Sequence, residues 1–404
     1  MRFCMVTTFY PPYHFGGDGT YVRALSHALV ERGHEVTVVH CEDAYRLSGS
    51  APHVDDQTST VKIYRLQSRF GGLSPLLTQQ TGYPVLKHRK LKAVLSDDFD
   101  VVNFHNISLV GGPGVIRLSR AKVNLYTLHE HWLICPTHIF WKDREKACDR
   151  RQCLRCCLKS GIPPQWWRYT SLIQNSIDKI DCFLAPSHFT AEQHKSSGIK
   201  RPIKVLPLFS YLSPDQYHDA SQGKMNFVTV GRVTASKGIA ELVRSFAQWP
   251  EFTLQVVGDG DLLAALKSQY QYCDNICFLG QVPQTSLQQL YRQATALILP
   301  SLAPETFGLT VVEAFSCGVP AIVRIAGGNR EAIDLSGAGF LYQSEVQLQE
   351  AIEQFRQNTD LRSRLGAKAR LAFEEHYTEQ IHVDAYLDLV SNLLEKQGVP
   401  TNSA

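Results

Sequence analysis

The sequence predicts an α/β protein of two successive domains, each a parallel sheet flanked by helices. Three observations predict it. The 404 residues exceed one ordinary domain, at roughly 150 residues apiece. Short apolar runs alternate with segments of helical spacing, as β–α–β units require. That alternation lapses over 207–224, a stretch rich in Pro, Ser, Asp and Gly, and then restarts.

The first domain is expected over 1–206. It opens with the strand Phe3–Thr7 and a loop that ends in Gly16-Gly17-Asp18-Gly19. Val22, Leu25 and Leu29 then recur at helical spacing, and Gly33 stops the helix. The run from Glu35 to Val39 is the next strand, so the order is strand–loop–helix–strand, the unit of a parallel sheet. Val101–Phe104, Val123–Tyr126 and Cys182–Ala185 continue it. After the linker at 207–224, the second domain is expected over 225–376. Its strands are Phe227–Gly231, Leu254–Gly258, Ile276–Gly280 and Ala296–Pro300. Between the first two, Ile239, Leu242, Val243 and Phe246 mark an amphipathic helix. A closing helical pattern over 377–404, ending in a polar tail, is expected to pack back on the first domain.

Composition narrows the function. Hydrophobic residues make up 44% and charged residues 20%, ordinary for a soluble protein. No apolar run reaches the length of about 18 residues that a membrane span needs. The N-terminus runs straight into a strand, with no signal-peptide pattern, so a cytoplasmic location is expected. Net charge is +3, but Lys and Arg exceed Asp and Glu by 10 over residues 1–205. A basic half favours anionic partners. Nucleic acid is not expected, because no binding motif accompanies the charge. A peripheral membrane contact on the inner face is one expectation. Lys87-His88-Arg89-Lys90-Leu91-Lys92, beside Val85, Leu86, Val94 and Leu95, reads either as an interfacial amphipathic helix or as a solvated helix with its apolar side in the core.

The segment 299–315 carries the chemistry. It leaves a strand, passes Pro304-Glu305-Thr306-Phe307-Gly308 and enters a helix that Gly318 closes. A helix start offers unpaired amides and the positive end of its dipole, a ready phosphate site. Glu305 before the helix and Glu313 within it suit hydroxyl groups on either side of such a phosphate. Arg232 and Lys237 follow an earlier strand, where ligands of open α/β sheets bind. Two cations there would neutralise a diphosphate.

These pieces, with Gly258-Asp259-Gly260, the run from Phe278 to Pro283 and Gly318-Val319-Pro320, resemble the donor domain of the family 4 glycosyltransferases. The Gly16-Gly17 loop and Thr127-Leu128-His129 extend the resemblance to the first half. It implies the GT-B fold, two Rossmann-like domains facing across a cleft. It also implies a retaining hexosyltransferase that uses a nucleotide-sugar donor, a uridine one favoured, and a glycan or lipid-linked acceptor of polysaccharide or glycolipid synthesis. By the same resemblance, Arg232 and Lys237 bind the diphosphate, Glu313 the ribose and Glu305 the transferred sugar. Phe307, Gly308, Leu309 and Thr310 form the helix-start donor site, and Val282 meets the nucleobase. Gly16 and Gly17 approach the phosphate, and His129 touches the sugar. No catalytic metal is expected. The D-x-D triplet Asp98-Phe99-Asp100 precedes a strand and is read as its exposed start.

An insertion at 135–157 holds Cys135, Cys148, Cys153, Cys156 and Cys157. Its spacing admits structural zinc on the first four, or thiols near the acceptor side. Two other functions stay open on the residues alone: a sugar-nucleotide epimerase or hydrolase of the same architecture, and a non-catalytic sugar-nucleotide-binding protein.

Overall fold

The computed structural model describes residues 1–47, 60–212 and 225–398, so most of the expected linker, 213–224, and the end of the tail lie outside the described residues. The chain divides into two units. One comprises Met1–His138, Gln152–Pro207 and Glu379–Ala404, and the other Ile139–Arg151 and Leu208–Thr378. The Cys-rich insertion is therefore split. Its middle, which bears the small antiparallel pairing Trp141–Lys142 with Lys146–Ala147, groups with the second unit.

The first unit holds seven parallel strands: β1 (Arg2–Val6), β2 (Glu35–Cys41), β3 (Lys62–Leu66), β4 (Val101–Phe104), β5 (Val123–Thr127), β6 (Cys182–Ala185) and β7 (Ile203–Val205). Their order is β3-β2-β1-β4-β5-β6-β7. The central strands are mostly apolar and buried, as parallel sheets covered on both faces demand. Cys4, Val6, Val39, Val102, Phe104 and Phe183 are fully buried. Helix α1 (Gly17–Glu31) follows the β1 loop, and α2 (Leu73–Thr81) and α3 (His88–Leu95) follow β3.

Helix α3 settles one of the two readings of the basic segment. Leu91 and Leu95 are fully buried and Val94 packs on the same core, so the apolar side faces inward. Lys87 is also buried and donates from Nζ to the Leu109 carbonyl at 2.8 Å. Arg89, Lys90 and Lys92 remain exposed.

The second unit repeats the plan. Its strands are β8 (Asn226–Val230), β9 (Thr253–Val257), β10 (Ile276–Gly280), β11 (Ala296–Leu299), β12 (Ala321–Arg324) and β13 (Gly339–Tyr342), in the order β10-β9-β8-β11-β12-β13. Helix α4 (Ile239–Phe246) buries Ile239, Leu242, Val243 and Phe246, the four residues its spacing singles out. Helix α5 (Leu309–Ser316) follows β11. Both sheets run 3-2-1-4 outward from a centre, so each has a switch point beside its first strand, where the loops diverge and a ligand can enter.

The last helix, α6 (Glu379–Lys396), belongs to the first unit. Its buried Tyr386 accepts from the Asn103 amide at 3.3 Å, and Arg32, which caps the end of α1, reaches Glu379 at 3.5 Å. Among the described residues, no helix is long and apolar enough to cross a membrane.

Candidate active site

The second unit builds a candidate site at its own β8/β11 switch point. Backbone packing comes first. Gly258, after β9, has φ 130°, and a Cβ there would stand 1.9 Å from the Gly231 carbonyl oxygen. Gly238 has φ 68°, and its Cβ would stand 2.1 Å from the Pro300 oxygen. Only glycine meets both conditions, and the loops after β8 and β11 close on one another because of it.

Lys237 and Glu305 meet across that closure. Lys237 Nζ lies 2.5 Å from Glu305 Oε1, and Ser301 Oγ donates to the same oxygen at 2.5 Å. The backbone of Glu305 is fixed as well: its amide donates to the Ala326 carbonyl at 2.8 Å, and its carbonyl accepts from Gly328. Arg232 is exposed just beyond β8. Val282 is half-buried after β10, at the same C-terminal edge of the sheet. Phe307 is buried against Tyr377, with ring centroids 6.2 Å apart.

Helix α5 starts at Gly308 with no side-chain cap, so its first amides, Leu309 and Thr310 among them, have no capping acceptor. Glu313, one turn on, is buried and accepts from the Tyr291 hydroxyl at 2.9 Å, with a second bond from Tyr211. Burial pushes its carboxyl up to about 7, against the pull of both phenols.

The first unit builds a separate polar cluster at its β1/β4 switch point. Gly16 precedes α1 at φ 72° with open space around it, so its need for glycine is conformational. Gly17 is the first residue of the helix. Gly19 is required for room, since a Cβ there would lie 2.8 Å from the His14 Cβ. Between them, Asp18 accepts from the Gly19 amide at 2.9 Å and from Asn106, just past β4, at 3.3 Å. Burial, aided by the charge of Glu130, raises its carboxyl to about 6. Glu130 in turn holds His138, Oε2 to Nδ1, at 2.8 Å.

His129 follows β5. Its Nε2 lies 2.9 Å from His105 Nδ1, and the two rings stack with centroids 5.2 Å apart. Tyr21 meets His129 edge-on at 5.0 Å. Burial, aided by His382, drives His129 down to about 3, so it is neutral at physiological pH. His382, from α6, accepts the Tyr21 hydroxyl at Nε2 over 2.7 Å. That tautomer is forced, because its Nδ1 faces the Pro207 carbonyl at 2.7 Å, and a carbonyl only accepts.

Asp18, His105, Asn106, Tyr291 and His382 join the site although the sequence reading did not select them. Asp18 carried a local signal, the first carboxylate after the glycine pair. Tyr291 and His382 carried none. They stand 22 positions from Glu313 and 361 from Tyr21.

The D-x-D triplet has a plain structural role. Asp100 accepts from the Arg2 amide and from Lys122 Nζ, both at 2.7 Å, so it anchors the start of β4, away from the site edge. Among the described residues, no three His, Cys, Asp or Glu side chains stand together as a metal-holding group. Arg168 lies among the thiols Cys135, Cys153 and Cys157, stacked on Trp132 at 5.3 Å and Trp167 at 4.7 Å. Burial lowers its guanidinium only to about 10, so it stays charged.

Two α/β units, each a parallel sheet with a switch point beside its first strand, define a class by fold: the two-domain GT-B proteins. Comparison with known proteins gives the family. Residues 15–209 match the family described as Glycosyltransferase Family 4, and residues 215–372 match Glycosyl transferases group 1. The chain belongs to the family 4 type of glycosyltransferases and is a hexosyltransferase-class enzyme. It is similar to the O-antigen chain mannosyltransferase C of Escherichia coli, at 26% identity over 57% of this chain and 65% of that protein. A glycogen synthase of Mycobacterium tuberculosis is 25% identical over 82% of this chain and 80% of its own length. Among solved structures, a sucrose-phosphate synthase from Thermosynechococcus elongatus shares the fold at TM-score 0.75 and 18% identity, covering 98% of this chain and 99% of that one.

Proposed function

We propose that the chain moves a hexose from a nucleotide diphosphate, UDP favoured, to a glycan or lipid-linked acceptor, with retention of anomeric configuration. The observation that carries this reading is the Lys237–Glu305–Ser301 group beside the uncapped start of α5, with Glu313 buried one turn further on. Support for uridine comes from a relative in fold: Anabaena HepE, solved with UDP, at TM-score 0.67 and 17% identity over 97% of this chain and all of that one.

In this reading the anomeric C–O bond breaks with its electron pair going to the diphosphate. Lys237, Arg232 and the α5 amides meet that growing charge, and fixed donors of this kind lower the barrier because they need no reorganisation. Glu305 and Glu313 accept hydroxyls of the sugar and of the ribose. The acceptor oxygen attacks from the face the leaving group vacates, and its proton passes to the departing phosphate. Neutral His129 contributes a hydrogen bond, not an acid. The diphosphate charge is met by the protein, so no divalent cation takes part. In this reading the enzyme is cytoplasmic and meets its acceptor at a peripheral contact on the inner face of the membrane. The experiment is a donor panel read by nucleotide release, in chelator, with wild type and Lys237→Ala. UDP-hexose turnover by the wild type alone supports the reading. Equal turnover by both proteins overturns it.

A further inference from the structure

The first unit carries an apolar, basic surface that the transfer chemistry leaves unused. Residues 67–95 and 152–177 contain no Asp or Glu. The structure packs these two segments together. Trp167 Nε1 donates to the Gln79 carbonyl at 2.7 Å, and a Cβ at Gly82 would meet Leu172 at 2.7 Å and the Trp167 ring at 3.0 Å. What the joined segments turn outward is unusual for a soluble face. Phe70 is 62% exposed, Leu73 45%, Leu76 44% and Val85 44%, beside Trp166 at 59% and Tyr169 at 67%. Leu73 and Leu76 are three apart on α2, so they share its outer face. Arg69, Arg89, Lys90 and Lys92 are exposed on the same segment, and Arg155 and Lys159 on the other.

We infer that this face docks on the surface of an anionic lipid bilayer. Tryptophan and tyrosine settle at the headgroup level, aliphatic side chains reach just below it, and cations above it meet anionic lipid. A second copy of the chain fits poorly, because like faces would oppose cation to cation with no carboxylate to pair them. The surface differs from the one the sequence suggested. The apolar side of α3 is spent on the core, and the docking apolar groups come from α2, the turn after it and the Trp166–Tyr169 turn. The inference does not depend on the transferase reading, since every residue in it lies outside the candidate site.

The test is co-sedimentation of the full chain with phosphatidylcholine vesicles, with and without phosphatidylglycerol. Binding is expected only with phosphatidylglycerol, and it should fall as salt shortens the screening length toward about 8 Å. Phe70→Ser with Trp166→Ser should weaken it about tenfold or more, because the apolar area driving insertion is lost. Arg89→Glu with Lys92→Glu should weaken it too, while the melting temperature and the nucleotide-sugar thermal shift stay unchanged. Equal binding to neutral vesicles, no binding at low salt, or full binding by the Ser variant overturns the inference. So does equal capture by soluble poly-glutamate with the Ser variant, which would mark an acidic-protein surface.

Discussion

Lys237 stands where charge must be met, tied to Glu305 at 2.5 Å. Lys237→Ala should lower transfer by about 10²–10³-fold, the usual scale for removing one fixed donor to a developing anion. Its fold should persist, since the side chain is partly exposed. Steady-state turnover beside a melting curve checks both parts. Glu313 gives a test by pH. Its carboxyl is raised to about 7 by burial, above the value of 4.5 for an ordinary Glu. The folded chain therefore holds that proton more tightly than the unfolded one. The resulting stability is complete below about 4.5 and lost as pH rises through about 7. Glu313→Gln stays neutral, so the melting temperatures of variant and wild type should approach each other near pH 5 and separate in the variant's favour near pH 8. Donor affinity should move the other way. Ribose hydroxyls donate to the ionised carboxylate, so wild-type affinity for a nucleotide sugar should rise through the same interval, and that of Glu313→Gln should stay flat.

At the scale of elements, the glycines set the loops. Gly258→Ala places a Cβ 1.9 Å from a backbone oxygen, a contact that no rotamer relieves. The loop after β8 must shift, so a lower melting temperature and a weaker donor thermal shift should appear together. Gly16→Ala faces open space and should cost only the strain of its φ of 72°. Much of this level was legible in the sequence. Buried parallel strands are continuous apolar runs, and Gly231, Gly258 and Gly280 end three of them because the chain turns there. What was not legible is pairing across distance. Lys237 and Glu305 were each visible as candidates, but their bond joins positions 68 apart through a switch point that only the strand order creates. Asp18 likewise reads as a helix-start acid until Asn106, 88 positions on, closes over it. The basic segment stayed open for the same reason: periodicity gives α3 an apolar side, but whether core or bilayer covers that side is decided by what packs against it.

For the whole molecule, one plan is used twice, with β1/β4 and β8/β11 as corresponding mouths. The first domain holds neutral histidines and carboxylates at its mouth, and the second holds cations, an uncapped helix and a buried carboxylate. Under the proposed function, the second set is the one that meets a diphosphate donor. The central claim is that the second domain binds a nucleotide sugar through its own side chains, and a melting curve in chelator tests it most directly. A ligand at about 100 times its Kd adds roughly 2.7 kcal/mol to the folded state, a shift of a few degrees. At least one UDP-hexose should raise the melting temperature of the wild type by that much without any divalent cation, and Lys237→Ala and Glu305→Ala should blunt the rise. If no nucleotide sugar stabilises the wild type unless magnesium or manganese is added, or if both variants keep the full shift, the donor site is not the one described.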